Sequence, residues 1–496
     1  MNTANVERRD ILKGAAALGV TAALARGAKL MGAEASTAAK VAPTIGIQMN
    51  VGALAAPDLR PLLDDLKTRA GVNALFPFIY SNVNRWTGLP ARGFVGGNFA
   101  IPHMQYYKDT SLTYKDMRAT ELGDLDVLEH TIAAAKPMGM KTFAWILENN
   151  ESLSTSAWEP LYEMDFQGRR TDRHPSGPCN NNPAYIGYLL GLVEDYARSY
   201  DIDGVMWSSE RQGGLFNALG AYHNGQGSDP GKATCFCEFC VKKAKAKGID
   251  AERARAGFAE IEKYVKAGRA RQRPRDGYFV EFFRILLRYP ELLAWEQFWI
   301  DSRGELMAAI YQKVKSVKPS LQVGWHVWHA LSFSPLHRAE LDYAAMGKYS
   351  DFIKPVLYAN CAGDRMRSFT DSVGANVFGD APRGEMLDVF YGMMDYKEAA
   401  YDQVRAAGFS SDYVKRETKR CLDTAGGNVQ VWPGIDVDVP VPAGASKRTA
   451  EGVKNDIIAS FQGGATGVVL SRLYYEMDMT VLAGAGAAAR ELRIMN

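Results

Sequence analysis

The stretch Asp201-Ile202-Asp203-Gly204-Val205-Met206-Trp207-Ser208-Ser209-Glu210-Arg211 decides the fold class of this chain. Its apolar run, Gly204–Ser208, is short and continuous, which is typical of a parallel strand that is covered on both faces. A helical pattern, Pro183–Tyr200, comes directly before it, and charged residues follow it. A helix followed by a buried strand is one round of a βα repeat.

The same unit recurs along the chain, because helical patterns at Pro57–Ala70 and Asp124–Met138 also separate apolar runs. The eight runs are Thr44–Met49, Ala74–Tyr80, Thr142–Leu147, Gly204–Ser208, Gln322–His329, Phe352–Tyr358, Val429–Asp436 and Gly467–Arg472. Eight rounds of strand and helix close a (β/α)8 TIM barrel. We therefore predict an α/β fold of this type for residues 41–496.

The chain has 496 residues, whereas a barrel of this kind needs about 250, so long insertions are expected. Three long segments follow strands 2, 4 and 6, at Asn82–Gly123, Arg211–Ser320 and Cys361–Asn428. The second contains a cysteine cluster and a long charged helical stretch, at about 211–320. Because each segment follows a strand, all three should build on the C-terminal face, where barrel active sites form.

The first 40 residues have the pattern of an export signal and a short linker. Paired arginines in Arg8-Arg9-Asp10-Ile11-Leu12-Lys13 precede an apolar run, Gly14–Leu24, and small residues follow around Ala33–Ala38. This order is typical of a secretory signal, and the arginine pair resembles a twin-arginine signal. We expect a periplasmic or secreted protein. The apolar run is too short for a stable membrane anchor.

Charge and composition limit the possible ligands. The net charge is +2, and the predicted signal carries an excess of cations, so the rest of the chain is close to neutral. A neutral chain has no basic field to attract nucleic acid. We expect a small neutral ligand, and the sequence leaves homo-oligomer formation open.

The predicted strand ends carry carboxylates, histidines and aromatic residues. This combination suits a sugar, since its CH faces pack on aromatic rings while its hydroxyl groups need polar partners. The predicted substrate-binding residues are Trp207, Arg211, His326, His329, Tyr358, Trp432, Arg472 and Glu476. We therefore expect a small carbohydrate as the substrate.

Cleavage of a glycoside needs two carboxyl groups on opposite sides of the scissile bond. Glu210 is our candidate for the general acid/base, and an apolar wall supplied by Trp207 would raise its pKa toward the working range. Asp436 is the first choice for the second carboxylate, because it follows a strand-ending Trp432-Pro433-Gly434. The alternatives are Asp438, Glu476 and Glu148.

Two histidines allow other hypotheses about the function of the predicted barrel. His326 and His329 are three residues apart, so in a strand their side chains turn to opposite faces and do not bind one metal together. Either could serve as the base of a barrel lyase or isomerase. A carbohydrate-binding barrel without catalytic activity is the remaining alternative.

The cysteines predict a structural metal site. Cys235, Cys237 and Cys240 form a C-x-C-x2-C cluster that is too tight for unstrained disulfides among its own members. Four thiolates in a tetrahedron bind zinc, and Cys179 is the candidate for the fourth ligand. A zinc ion closed by four cysteines has no open position, so we expect a structural role.

These motifs resemble the catalytic barrels of glycoside hydrolase clan A, and most of all the family 42 β-galactosidases and the related "hypothetical glycosyl hydrolase 6" group. The matching elements run in order: Cys179-Asn180, Asp203–Trp207, Ser209-Glu210 and the C-x-C-x2-C cluster. The resemblance implies that Glu210 is the acid/base and that Cys179 joins the cluster in a structural zinc site.

Two departures separate this chain from the clan. Ser209 stands where the clan has an asparagine, and strand 7 offers Asp436 or Asp438 where the clan has a glutamate nucleophile. Retention of configuration and galactoside specificity therefore do not follow. The sequence predicts an exported glycoside hydrolase that cleaves a small glycoside or the end of an oligosaccharide.

Overall fold

Eight parallel strands form a ring in the computed structural model. The strands are β1 Thr44–Met49, β2 Ala74–Ser81, β3 Lys141–Glu148, β4 Gly204–Ser209, β5 Gln322–Val327, β6 Phe352–Pro355, β7 Gln430–Val431 with Gly434–Asp436, and β8 Gly467–Ser471. Each strand pairs in parallel with the next, and β8 pairs with β1. The predicted (β/α)8 barrel is confirmed.

The structure describes residues 43–81, 84–90, 94–148, 156–170, 177–221 and 228–495. The predicted signal and linker, residues 1–40, lie outside these ranges. Residues Pro43–Asn496 form one compact unit. Across the described ranges, no helix has both the length and the apolar character that crossing a bilayer requires.

Three predicted strands depart from their predicted ranges by more than one residue at an end or by an interruption. The β7 ladder is interrupted at Trp432 and Pro433, so that its first segment pairs with β6 and its second with β8. The β5 strand stops at Val327 because His329 begins a 3-10 turn, and β6 stops at Pro355, shortly before a helix begins at Ala359. These chain reversals shape the rim of the barrel.

A barrel helix follows each strand and packs its apolar side on the ring. These helices are α1 Arg60–Ala70, α2 Val127–Ala135, α3 Pro183–Ser199, α4 Glu291–Val317, α5 Tyr343–Gly347, α6 Ser411–Ala425, α7 Ala450–Gln462 and α8 Met479–Glu491. The α3 helix starts where the sequence predicts, with Pro183 at its first position and the Asn182 side chain accepting a hydrogen bond from the Ala184 amide.

The insertions add further helices beyond the strand ends. The segment after β4 contains helices Gly214–Leu219, Glu238–Ala246, Ala251–Arg269 and Tyr278–Arg288, and the segment after β6 contains Ala359–Val377, Arg383–Met394 and Val404–Ala407. After β2, a two-residue strand, Gly97–Asn98, pairs antiparallel with β2. The predicted segments after strands 4 and 6 each also include a barrel helix, α4 or α6.

Aromatic rings fill the lower part of the barrel. Phe76 stacks on Phe143 with 4.8 Å between ring centroids, and Phe352 stacks on Trp432 at 4.1 Å. All four side chains are buried. Glycine is required at Gly324, because a Cβ atom there would overlap the Phe352 ring. The lumen therefore has a dry, apolar floor, which lowers the effective dielectric constant for the polar groups above it.

Candidate active site

A line of four polar side chains crosses the lumen above the aromatic floor. Lys354 Nζ donates to Gln48 Oε1 at 3.1 Å and lies 3.2 Å from His326 Nδ1. His326 Nε2 lies 3.3 Å from Glu210 Oε1. Because side chains alternate along a strand, Glu210 points inward from the end of β4 like Met206 below it, which belongs to the floor.

The surroundings set the charges of this line. Burial lowers the pKa of Lys354 well below its usual value, although Glu210 opposes this. Burial and the neighbouring Lys354 lower the pKa of His326 to about 4. A neutral His326 has one N–H and one acceptor nitrogen, so it donates to Glu210 through Nε2 and accepts from Lys354 at Nδ1.

Glu210 is an ionised carboxylate at neutral pH. Burial alone would raise its pKa, but the hydrogen bond from His326 and the positive charges of Arg365 and Arg472 outweigh that effect and lower it. The Glu210 side chain is 26% exposed, whereas His326 is 4% exposed. Glu210 is therefore the member of the line that solvent or a ligand can reach.

Two neighbours give Lys354 and His326 their positions. The His326 ring stacks on Trp145 with 6.2 Å between centroids. A Cβ atom at Gly434 would lie 2.5 Å from Lys354 Cε, so β7 needs glycine there for the lysine to cross the lumen. The floor and the opposite strand thus fix both side chains.

The rim of the site carries a tyrosine and two arginines. Tyr358 is buried, with Lys354 Nζ 5.6 Å and Arg365 Cζ 5.8 Å from its ring centroid. Arg472 forms a two-point ion pair with Glu476, in which Nε lies 2.9 Å from Oε2. The structure therefore brings Tyr358, Arg472 and Glu476 to the Glu210 side of the barrel.

His329 does not face the same space as His326. Arg365 Nη1 donates to His329 Nδ1 at 2.8 Å, and His329 Nε2 lies 3.2 Å from Tyr413 Oη. Tyr413 in turn donates to Ser332 Oγ at 2.7 Å. His329 therefore holds Arg365, and its two ring nitrogens contact Arg365 and Tyr413.

The two strand-7 aspartates support helices. Asp436 is fully buried and accepts hydrogen bonds from the amides of Ala359 at 2.9 Å and Asn360 at 3.0 Å. It caps helix Ala359–Val377, and burial raises its pKa. Asp438 accepts from the Asp478 amide at 3.0 Å, beside the start of α8. Each oxygen of this first-choice partner carboxylate accepts a backbone hydrogen bond, and the residue has no exposed surface.

Trp207 and Trp432 do not reach the mouth of the barrel. Trp207 lies on the outer face of β4, where its ring packs edge-on against Trp325 at 5.7 Å. It therefore supplies no apolar wall for Glu210, whose pKa is lowered and not raised. Trp432 belongs to the aromatic floor and is 1% exposed. Strand alternation, which turns neighbouring residues to opposite faces, explains the position of Trp207.

Arg211 and Glu148 lie behind the strands, in a buried ion-pair network. Arg211 Nη2 lies 2.6 Å from Glu163 Oε1, and Nη1 lies 3.5 Å from Glu148 Oε1. Arg211 also donates to the Pro178 carbonyl at 2.8 Å, and Tyr185 donates to Glu148. Neither predicted site residue faces the lumen. Their contacts instead tie the barrel to the segment before α3.

The four predicted zinc ligands come together beside this network. Their sulfur atoms all lie within 4.8 Å of one another, and all four residues are buried. Cys179 Sγ lies 3.4 Å from Cys240 Sγ and 3.5 Å from Cys237 Sγ. The Asn181 amide donates to Cys179 Sγ at 3.3 Å. Four converging sulfurs with an N–H donor fit a closed tetrahedral zinc site.

Sequence reasoning missed Lys354, Gln48 and Arg365. A lysine inside an apolar run that is predicted to be covered on both faces was a usable signal, because such a charge needs a buried partner. Gln48 in β1 gave the same signal more weakly. Arg365 lies in a helix of the insertion after β6, and no sequence pattern marks it.

No protein-family model matches this chain, and no curated protein matches it. Among solved structures, β-galactosidase from the psychrophilic Marinomonas ef1 matches with a TM-score of 0.50 and 10% identity over 91% of this chain and 59% of that one. A β-galactosidase from the Antarctic haloarchaeon Halorubrum lacusprofundi matches with a TM-score of 0.49 and 14% identity, covering 91% and 58%.

α-L-Fucosidase isoenzyme 2 from Paenibacillus thiaminolyticus matches with a TM-score of 0.46 and 14% identity, over 91% of this chain and 49% of that one. This chain thus spans about half to three fifths of the length of these three proteins. At such identities the likeness concerns the fold alone. The match to the Marinomonas ef1 β-galactosidase, at a TM-score of 0.50, agrees with the TIM-barrel fold described above.

Proposed function

We propose that this protein is a glycoside hydrolase that uses Glu210 as its general acid/base on a small glycoside or the end of an oligosaccharide. The position of Glu210 carries the proposal: it is a partly exposed carboxylate at the C-terminal end of β4, held by His326 above a dry floor. Barrel enzymes place their catalytic groups at this face. The glycosidase names of the structural neighbours support the same class.

The resting charge state prepares Glu210 to act as a base. In a two-step glycosidase the same carboxyl group donates a proton in one step and accepts one in the other. His326, Arg365 and Arg472 favour the ionised form, so Glu210 is ready to accept a proton from water. A sugar that covers its exposed part removes solvent and raises its pKa, which favours the acid form.

For the second carboxyl group we propose Glu476. Asp436 is engaged at a helix start and Glu148 lies behind the strands, whereas Glu476 pairs with Arg472, whose charge also acts on Glu210. Its ion pair with Arg472 places this carboxylate beside the cation that also faces Glu210, the position that a nucleophile or a water-activating base needs.

The test is Glu210→Gln on a panel of chromogenic glycosides. We expect kcat/KM to fall by roughly 10² to 10⁴-fold, the usual contribution of a general acid or base, with an unchanged Tm. Glu385→Gln, at an exposed position of helix Arg383–Met394, is the matched control and should keep full activity. Full activity of Glu210→Gln would exclude the proposed role.

A second candidate is a barrel lyase or isomerase with His326 as its base. The contact between His326 Nδ1 and the buried Lys354 amine supports this candidate, because the two groups can exchange a proton. Such an enzyme would act on carbonyl substrates and need no glycosidic bond. A non-catalytic sugar-binding barrel is distinguished by sugar binding without turnover of any glycoside.

We also propose that Cys179, Cys235, Cys237 and Cys240 hold a structural zinc ion. The support is their convergence and burial. Bound zinc would supply cross-linking only, because four thiolates leave no open position. It would join the segment before α3 to the insertion after β4. The zinc site would then lie on the flank of β4, the strand that directly precedes Glu210.

We also propose that the protein is exported. The Arg8-Arg9 motif and the apolar run after it support transport by the twin-arginine pathway to the periplasm or beyond. A protein that crosses the membrane already folded could load zinc in the cytoplasm, where thiols are kept reduced.

A further inference from the structure

Arg365 is an arginine at the rim whose partners, in the part of the chain that the structure describes, include no carboxylate. It lies in helix Ala359–Val377 and is half-buried. Its hydrogen bond goes to His329 Nδ1, and its guanidinium lies over the Tyr358 ring. Among the described residues, no carboxylate oxygen lies within ion-pair distance of it. By contrast, Arg472, Arg338 and Arg420 each pair with a glutamate.

Several buried groups hold this arginine in place. His329 is 1% exposed, and it is fixed by Tyr413, which is fixed by Ser332. One Arg365 nitrogen is used by His329, and the stacked Tyr358 ring covers one face. A guanidinium has five N–H donors in a plane, so the remaining edge stays available to an acceptor.

The remaining edge of the Arg365 guanidinium faces the space in which a ligand at Glu210 would bind. Arg365 and Lys354 both lie over the Tyr358 ring, and Lys354 is linked through His326 to Glu210, so Arg365 and Glu210 border the same space. The carboxylate of Glu210 is bonded to His326, and the charge of Arg472 is balanced by Glu476. A ligand at Glu210 thus meets Arg365 as a positioned cation with donors to spare.

We infer that the sugar bound at Glu210 carries a carboxylate and that Arg365 binds this group, so the substrate is a uronic acid glycoside. A carboxylate matches the guanidinium edge with two parallel hydrogen bonds, which a neutral hydroxymethyl group does not do. The inference rests on the proposal that this mouth takes a sugar. It differs from the neutral ligand that the overall charge predicts.

Calorimetric titration of the full chain with four monosaccharides tests this without turnover. The pairs are glucuronic acid with glucose and galacturonic acid with galactose, which differ in the carboxylate alone. We expect one uronic acid to bind at least roughly tenfold more tightly than its neutral partner, as a charge-assisted bond predicts. The preference should shrink as salt is added.

Arg365→Gln should abolish the preference, while Arg365→Lys should keep part of it, because lysine retains the charge without the planar edge. Arg367→Gln is the matched control: it removes a half-buried arginine of the same helix that lies over Tyr401. Tm values exclude misfolding as the cause.

Three outcomes would overturn the inference: equal affinity for both members of each pair, an undiminished preference in Arg365→Gln, or no binding of any of the four sugars. A uronic acid preference without glycoside cleavage would leave the inference standing and remove the hydrolase proposal. Glu210-dependent cleavage of neutral glycosides without that preference would do the reverse.

Discussion

Two clusters of buried charge lie on opposite faces of the same strands, and they differ in how far their members are exposed. Glu210 and Arg211 are adjacent in sequence, yet Glu210 belongs to the inner cluster with His326 and Lys354, and Arg211 to the outer one with Glu163 and Glu148. The Arg211 side chain is 1% exposed and Glu163 is 3% exposed, whereas Glu210 is 26% exposed.

The shortest contacts of the outer cluster are shorter than those of the inner cluster. The inner cluster has contacts of 3.1–3.3 Å, and one end is open to the mouth. In the outer cluster, Arg211 meets Glu163 at 2.6 Å and the Pro178 carbonyl at 2.8 Å. The outer cluster is shielded from solvent and joins neighbouring segments, whereas the inner cluster has one carboxylate that a ligand can reach. We therefore expect the outer face to contribute stability and the inner face to carry the proposed chemistry.

Removal of the metal should have the largest effect, because the cysteine site continues the outer cluster. We expect purified protein to contain one zinc ion per chain and Cys237→Ser to lose it. The free energy of unfolding should fall by about 5 kcal/mol or more, since structural zinc contributes about 10–16 kcal/mol of binding free energy in small domains. Metal analysis and denaturant titration measure both changes.

Cys421→Ser is the control for this variant, because Cys421 is a buried thiol outside the cluster. It should keep the metal. Wild-type protein that binds no zinc after expression in zinc-supplemented medium would contradict the zinc proposal and separate the cysteines from the stabilising role of the outer face.

Arg211→Met should have the next largest effect. It leaves the buried carboxylates Glu148 and Glu163 without their cation, which costs about 3–5 kcal/mol of unfolding free energy in comparable cases. Adding Glu163→Gln to this variant should restore part of the loss. Denaturant titration of Arg211→Met beside Glu210→Gln sharpens the comparison, and equal stabilities of the two variants would break it.

Acid sensitivity should show the smallest effect, and it concerns the inner face. The pKa of His326 is lowered to about 4 in the folded protein, against 6.5 in a model peptide. The unfolded chain therefore takes up the proton first, and stability that is present above pH 6.5 is lost as the pH falls toward 4. The loss reaches roughly 3 kcal/mol at most.

His326→Gln should remove this contribution. The difference in unfolding free energy between pH 7 and pH 4 should be smaller in the variant than in the wild type, by denaturant titration at both values. Lys354 and Glu210 face His326, so Lys354→Met should raise the His326 pKa and reduce the loss as well. An unchanged pH dependence in His326→Gln would show that the pKa of His326 is the same in the folded and the unfolded chain.

Much of the fold could be predicted because it follows from local patterns. The order of strands and helices was visible in apolar runs such as Thr44–Met49, whose bounds are the same in the structure. The convergence of Cys179 with Cys235–Cys240 followed from the resemblance and from the spacing of three cysteines. The strand ends were less predictable, since Trp432 and Pro433 interrupt a run that is continuous in sequence.

The features of the candidate site also divide into those that follow from local patterns and those that do not. The sequence by itself determined the eight-fold repeat, the position of Glu210 at a strand end and the four converging cysteines, because periodicity and spacing are local properties. The tertiary structure alone decided that Asp436 caps a helix, that Arg211 lies behind the barrel and that Lys354, His326 and Arg365 surround Glu210. Those outcomes depend on which residues meet across the lumen, over hundreds of positions, and on the face that each side chain takes.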